Sequence, residues 1–227
     1  MGEQISIPTT GTQCIGAYVA RAPGKPKGGV VVIQEIFGVT AHIRSVADRL
    51  AAAGFTAIAP CFFDHLETGV ELPYDQAGTE RGRALVQELG MDRAVADVAA
   101  AAEAIASAGR IGTVGFCWGG TVAFLAATRL GLPSVSYYGA RNVAYLDEQP
   151  KAPVMFHFGE KDPSIPPEAI ARHRAKLPQM PIYTYPAGHA FNRDADPHVY
   201  DRASAELAWQ RTLAFFEEHL AGAAVKP

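Results

Sequence analysis

Apolar residues recur along this chain in two rhythms that alternate from one end to the other. Short continuous runs, of which Val30-Val31-Val32-Ile33 is the clearest, give way to stretches where apolar residues return every three or four positions. The first rhythm is that of a strand buried on both faces, the second that of a helix with one face on the core. Read in order, the pattern predicts a hairpin over residues 4–20 that turns at Thr9-Thr10-Gly11-Thr12. Further strands are predicted at 30–33, 55–59, 112–115, 135–138, 153–158 and 182–185, with Pro60 stopping the strand before it. Helices are predicted over about 42–53, 81–89, 91–108, 121–130, 167–177 and 204–220. Ile43, Val46, Ala47 and Leu50 form the inner face of the first, and Val95, Val98, Ala102 and Ile105 that of the third. Cys14 reads as a small core filler in or beside the second hairpin strand. Residues 61–79 follow neither rhythm and read as an irregular lid. Strands alternating with helices imply an α/β fold, a mostly parallel sheet with helices on both faces. No repeat or linker divides the chain, so residues 1–227 read as a single domain.

Composition narrows the function classes. An apolar fraction of 48% over 227 residues suffices for a large core. A net charge of −3, without a basic stripe, argues against a nucleic-acid partner. The longest alanine-rich segment, 94–108, is interrupted by Asp97 and Glu103, and no run approaches the ~18 residues of a membrane span, so no membrane partner is expected. Cys14, Cys61 and Cys117 are few, odd in number and far apart, which points away from a disulfide framework and toward a reducing, cytoplasmic setting. Gly2 with Ser6 fits a loose acylation pattern, but Ile5 and Ile7 read more simply as the start of a strand.

The candidate chemistry centres on Gly115-Phe116-Cys117-Trp118-Gly119-Gly120, between a predicted strand and a predicted helix. Strand, tight glycine turn and helix in that order form a nucleophile elbow, here with cysteine where the usual pattern has serine. Glu35, Cys117, Asp162 and His189 each follow an apolar strand within a few residues, and ligands bind beyond the carboxyl ends of such strands. Nucleophile, acid and histidine also come in the chain order of α/β-hydrolase triads. His189 would be general base and then general acid, with Asp162 fixing its tautomer. Glu160, two residues earlier, is the alternative acid. The backbone N–H groups of Trp118 and Ile36 would form an oxyanion hole. Each residue has a bland reading: a thiol in a glycine turn, a turn aspartate before Pro163, a surface histidine. The coincidence of type, order and placement outweighs them together. His157 reads as a core residue, and His42 and His173 as helix residues. Asp194, Asp196 and His198 could be drawn as a metal site, but Pro197 and the polar loop around it suit a solvated turn. With no His-Glu-x-x-His, Cys-x-x-Cys, phosphate-binding or dinucleotide motif, neither metal nor cofactor is expected. The residues alone leave three classes: a thiol hydrolase, a binding protein that has lost turnover, and a redox-sensing thiol.

Gln34-Glu35-Ile36-Phe37-Gly38-Val39, the cysteine elbow, Tyr137-Tyr138-Gly139, Asp162 and Gly188-His189-Ala190-Phe191-Asn192-Arg193 together resemble the dienelactone hydrolase family (carboxymethylenebutenolidases), a branch of the α/β-hydrolases. The resemblance covers nearly the whole chain. It implies an enzyme that opens an enol-lactone, dienelactone, to maleylacetate, with Cys117, Asp162 and His189 catalytic; the chain itself is expected to be a monomer. It also implies that Glu35 contacts the resting thiol and helps to deprotonate it when substrate binds. A carboxylate beside a thiol disfavours the thiolate, so that contact would hold Cys117 protonated and protect it from oxidation until substrate arrives. Family substrates carry a carboxylate bound by arginines. Arg193 matches one of them. For the second, the lid helix offers Arg81 and Arg83, although alignment on Met91-Asp92 puts Thr79 at the expected arginine and Arg83 at an expected tyrosine. Tyr138 is expected to touch substrate, and Trp118 to narrow the pocket.

Overall fold

The alternating pattern resolves, in a computed structural model that describes residues 2–10 and 13–221, into eight strands and six helices. The strands are β1 (Glu3–Pro8), β2 (Cys14–Ala20), β3 (Gly29–Ile33), β4 (Thr56–Pro60), β5 (Ile111–Phe116), β6 (Ser134–Tyr137), β7 (Val154–Gly159) and β8 (Ile182–Tyr185). The helices are α1 (Ala41–Ala52), α2 (Gln76–Leu89), α3 (Met91–Ala104), α4 (Trp118–Leu125), α5 (Pro167–Lys176) and α6 (Arg202–His219). One sheet holds all the strands in the order β1-β2-β4-β3-β5-β6-β7-β8. The β1–β2 hairpin runs antiparallel, as does its junction with β4, and every pair from β4 to β8 is parallel. Helices cover both faces, the architecture of an α/β-hydrolase. Residues 11 and 12 of the expected hairpin turn lie outside the described residues.

The continuous apolar run of β3 is explained by this layering. Val30 and Val32 enter a core shared with Ile43, Val46, Leu50 and Phe216, while Val31 and Ile33 face the opposite core with Val98 and Val122. A strand with a helix layer on each side has no face to leave polar. The carboxyl ends of the parallel strands lie together, so the loops after β3, β5, β6, β7 and β8 meet above one edge of the sheet.

Several elements depart from the sequence expectation. Cys14 opens β2 at an exposed position and fills no core. The second helix begins at Gln76 rather than near Arg81, because Asp75 caps it and accepts the Gly78 N–H at 2.8 Å. Its first turn, Gln76-Ala77-Gly78-Thr79, has too little apolar spacing to signal a helix. Helix α3 stops at Ala104, followed by a tighter turn over Ala106–Ala108, and its buried face includes Ala101 where Ala102 was expected. Helix α4 starts at Trp118, directly after the cysteine, and ends in a wider turn over Ala126–Leu130. Among the described residues no helix is long and apolar enough to cross a membrane.

The stretch read as an irregular lid is fastened to the body at several points. Residues Phe62–His65 form a short turn, and Asp64 Oδ2 accepts the Gly16 N–H at 2.7 Å. His65 Nε2 donates to both carboxylate oxygens of Asp97 at 2.9 Å, inside α3. Glu71 bridges to Gly38, and the Leu72 N–H donates to the Phe37 carbonyl at 2.9 Å. Helix α2 then lies directly on the loop after β3: a methyl group at Gly82 would sit 2.2 Å from the Ile36 carbonyl oxygen.

Asp97 is wholly buried, and His65 is its side chain's hydrogen-bonding partner. Truncation in Asp97→Ala strands a buried histidine and should cost about 3 kcal/mol, read as a lowered urea midpoint with unchanged slope. A loss below about 0.5 kcal/mol would mean that the pair does not fasten this segment.

Candidate active site

The turn from β5 into α4 is set by three glycines. A methyl group at Gly115 would lie 1.8 Å from the Gly119 carbonyl oxygen, and one at Gly119 would lie 2.3 Å from that of Gln34. One at Gly120 would meet the Tyr137 carbonyl oxygen at 2.5 Å. Neighbouring backbone occupies the space a side chain would need, so helix α4 can pass this close to β3, β5 and β6 only on glycine. The cost of the sharp reversal falls on Cys117, which sits at φ 57°, ψ −117°, a conformation rarely adopted by residues with a side chain. Cys117 stands at the N-terminus of α4 and lines a cavity of about 440 Å³.

His189 comes to the same cavity from the loop after β8, and Asp162 holds it from the loop after β7. Asp162 Oδ2 accepts from His189 Nδ1 at 2.6 Å, and its Oδ1 accepts the Ser164 N–H at 2.8 Å. Asp162 is 3% exposed, whereas the alternative acid Glu160 lies on the surface. Burial works against a charged His189 ring, but hydrogen bonds with Asp162 and the Cys117 thiol, together with their charges, outweigh it and raise its pKa to about 10. Ile36 and Trp118 also line the cavity, and neither backbone N–H donates to a protein acceptor among the described residues.

Glu35 is placed differently from the expectation. It is 1% exposed, and its hydrogen bonds come from Arg193: Nε to Oε2 at 3.0 Å and to Oε1 at 3.3 Å, and Nη2 to Oε1 at 3.0 Å. No hydrogen bond joins Glu35 to Cys117 among the described residues. Arg193 offers a fork of donors that a lone thiol cannot match. Its charge offsets the repulsion that was expected to keep the thiol protonated. Arg193 Nη1 also reaches Asp196 at 3.3 Å, and the guanidinium carbon lies 4.3 Å from the Tyr74 ring centre and 5.1 Å from that of Phe37.

The remaining expected contacts divide. Arg83 lines the cavity with Thr79, one helical turn earlier, while Arg81 points away and pairs with Glu67 at 2.7 Å. Tyr138 does not line the cavity. It is fully buried at φ 39°, its ring 5.2 Å from that of His189, so it backs the histidine rather than touching a ligand. Its hydroxyl has no partner, and burial raises its pKa well above the usual tyrosine value. Trp118 is buried edge-on against Phe62 at 5.5 Å and forms part of the cavity wall. His157 is the core residue expected, between Tyr185 at 2.8 Å and Thr212 at 3.2 Å. The supposed solvated turn is more engaged than its composition suggests: Asp194 accepts from His42 Nδ1 at 2.9 Å, and Asp196 lines the cavity. Arg141 and Ser164, also in the wall, were not legible in sequence, since neither belongs to a motif.

Comparison with known proteins agrees with the fold. Residues 15–220 match the dienelactone hydrolase family. The chain is 33% identical over 209 residues to carboxymethylenebutenolidase 1 of Cupriavidus pinatubonensis, covering 87% of this chain and 89% of the relative. It is 32% identical over 225 residues to the carboxymethylenebutenolidase of Pseudomonas putida, covering 94% and 95%. A crystal structure of a Klebsiella pneumoniae protein assigned as a dienelactone hydrolase superposes with a TM-score of 0.86 at 32% identity, over 96% of this chain and 99% of that one.

The raised pKa of His189 makes a statement about stability. A group near 6.5 when unfolded and near 10 when folded contributes fully below about pH 6.5, and its contribution fades as pH rises toward 10. The difference in unfolding free energy between the parent protein and His189→Gln should therefore be largest near pH 6 and shrink steadily to pH 10. A difference that stays constant over that range would contradict a charged His189 in the resting site.

Proposed function

The chain belongs to the dienelactone hydrolase family, and from that membership we propose that it opens a carboxylate-bearing enol-lactone, of the dienelactone-to-maleylacetate type, through a thioester at Cys117. As a member it is a carboxylic ester hydrolase. One observation carries the cysteine reading: His189 is held by Asp162 at 2.6 Å and lies beside Cys117, at an elbow flanked by two unbonded N–H groups.

The chemistry follows from that arrangement. The Cys117 thiolate attacks the lactone carbonyl, and the N–H groups of Ile36 and Trp118 receive the oxyanion. Loss of such a donor in a comparable enzyme costs about 3 kcal/mol of transition-state stabilisation. As the tetrahedral intermediate collapses, the ring C–O bond breaks and His189 protonates the departing oxygen. The opened acyl chain remains on sulfur. Neutral His189 then takes a proton from water, the resulting hydroxide attacks the thioester, and the thiolate leaves beside a recharged imidazolium. The product carries one more carboxylate than the lactone did.

Arg193 links substrate binding to Glu35. A guanidinium has five N–H donors, of which Glu35 and Asp196 use three, leaving one on each terminal nitrogen for a substrate carboxylate. A second carboxylate on that fork weakens its hold on Glu35, which can then accept a proton from the thiol. Glu35 thus assists when the site is filled, and it returns the proton to sulfur when the product leaves.

Cys117→Ala should lower kcat/KM on a chromogenic ester and on carboxylated lactones by at least about 10³-fold, with an unchanged circular dichroism spectrum. Equal rates in the two proteins would exclude the cysteine mechanism. Glu35→Gln should lower kcat on a carboxylated lactone about tenfold, measured under saturating substrate. Unchanged turnover would remove Glu35 from the reaction.

A further inference from the structure

Four arginines stand at or near this cavity, and they are not equally committed. Arg193 gives three of its five donors to Glu35 and Asp196, and Arg81 pairs with Glu67. Arg83 and Arg141 both line the cavity, both are exposed, and neither makes an ion pair or side-chain hydrogen bond among the described residues. They reach it from different directions. Arg83 rides on α2, which is packed against Ile36 and so belongs to the loop after β3. Arg141 lies in a short turn, Ala140–Ala144, that follows β6. In the sheet β5 lies between β3 and β6, so the two guanidinium groups flank the elbow that ends β5.

The turn that carries Arg141 is anchored. Its neighbour Asn142 is wholly buried, donates from Nδ2 to the Ser136 hydroxyl at 3.2 Å, and through its carbonyl accepts the Tyr145 N–H at 2.9 Å. The backbone that presents Arg141 is therefore fixed, while its side chain is left to the solvent of the cavity. An uncommitted guanidinium in such a place has donors for a carboxylate and no protein group to satisfy them.

We infer that Arg141 is a specificity-determining residue, and that with Arg83 on the other side of Cys117 it selects lactones or esters carrying one anionic group on each side of the scissile bond. This rests on the hydrolase reading above for its reaction, but its binding half stands on the arginines alone. A substrate with a single carboxylate occupies one arm. A dianionic substrate spans both and is oriented across the nucleophile, with its carbonyl between the two charges. The attraction acts near solvent, so it weakens as ionic strength rises.

The test is a matched set of esters with a neutral, a singly and a doubly carboxylated form, the charges of the last placed on the acyl and alcohol portions. In Arg141→Gln, the KM of the doubly charged ester relative to that of the neutral ester should rise about five- to tenfold, and Arg141→Lys should recover part of the loss. The effect should shrink between 50 mM and 500 mM salt. An unchanged ratio, in an enzyme that turns the esters over, would overturn the inference while leaving the hydrolase reading intact. Calorimetric binding of adipate to Cys117→Ala separates the two in the other direction. Binding weakened by adding Arg141→Gln, in a protein whose parent hydrolyses none of the esters, would uphold the anion site and reject the reaction. Adipate binding indifferent to Arg141 would again overturn the inference.

Discussion

The site depends on how closely one helix can approach the sheet. Helix α4 begins one residue beyond β5, and at Gly115, Gly119 and Gly120 even a methyl group would run into backbone carbonyl oxygens of this helix, of the segment after β3 and of β6. That contact fixes the start of the helix against three adjacent strands at once. Cys117 is held in a conformation that a relaxed chain would leave, and its position is set by the sheet rather than by its own preferences. Asp162, His189 and Ile36 come from other strand ends of the same sheet. Their distances to the thiol are fixed by strand spacing, and short loops suffice to deliver them.

Charge is distributed in two compact groups around that point. Asp162 and His189 form one, with Cys117 beside them; Glu35, Arg193 and Asp196 form the other. Within each, a cation lies between acidic partners, which lets ionised side chains persist with little access to water. The second group changes the account of why sulfur is used. A lone carboxylate near Cys117 would oppose ionisation of the thiol, whereas a carboxylate gripped by Arg193 opposes it far less. The repulsion that the sequence suggested between Glu35 and the thiol is therefore largely offset in the resting site.

Much of this was visible in the sequence, for identifiable reasons. Strands buried on both faces leave continuous apolar runs, and the elbow leaves glycines at fixed offsets around a nucleophile. The acid and the histidine follow apolar runs, so their placement at strand ends could be read from one dimension. What could not be read was pairing across the chain. Glu35 and Arg193 are 158 residues apart, and nothing local to either reveals that they meet. The same holds for His65 with Asp97 and for His42 with Asp194. The start of α2 was hidden because its first turn is polar and capped by Asp75, with no apolar period to announce it. Tyr138 was expected to touch substrate, but its backbone turns at φ 39° and its ring is fully buried.

Gly82 joins two functions that many enzymes keep apart. Helix α2 carries Arg83 and Thr79 in the cavity wall, and at Gly82 it lies against the carbonyl of Ile36, another residue of that wall. Any shift of the helix is therefore transmitted to the loop that follows β3. Widening the entrance for a bulkier substrate by displacing this helix would move Ile36, and with it the opposite wall, at the same stroke.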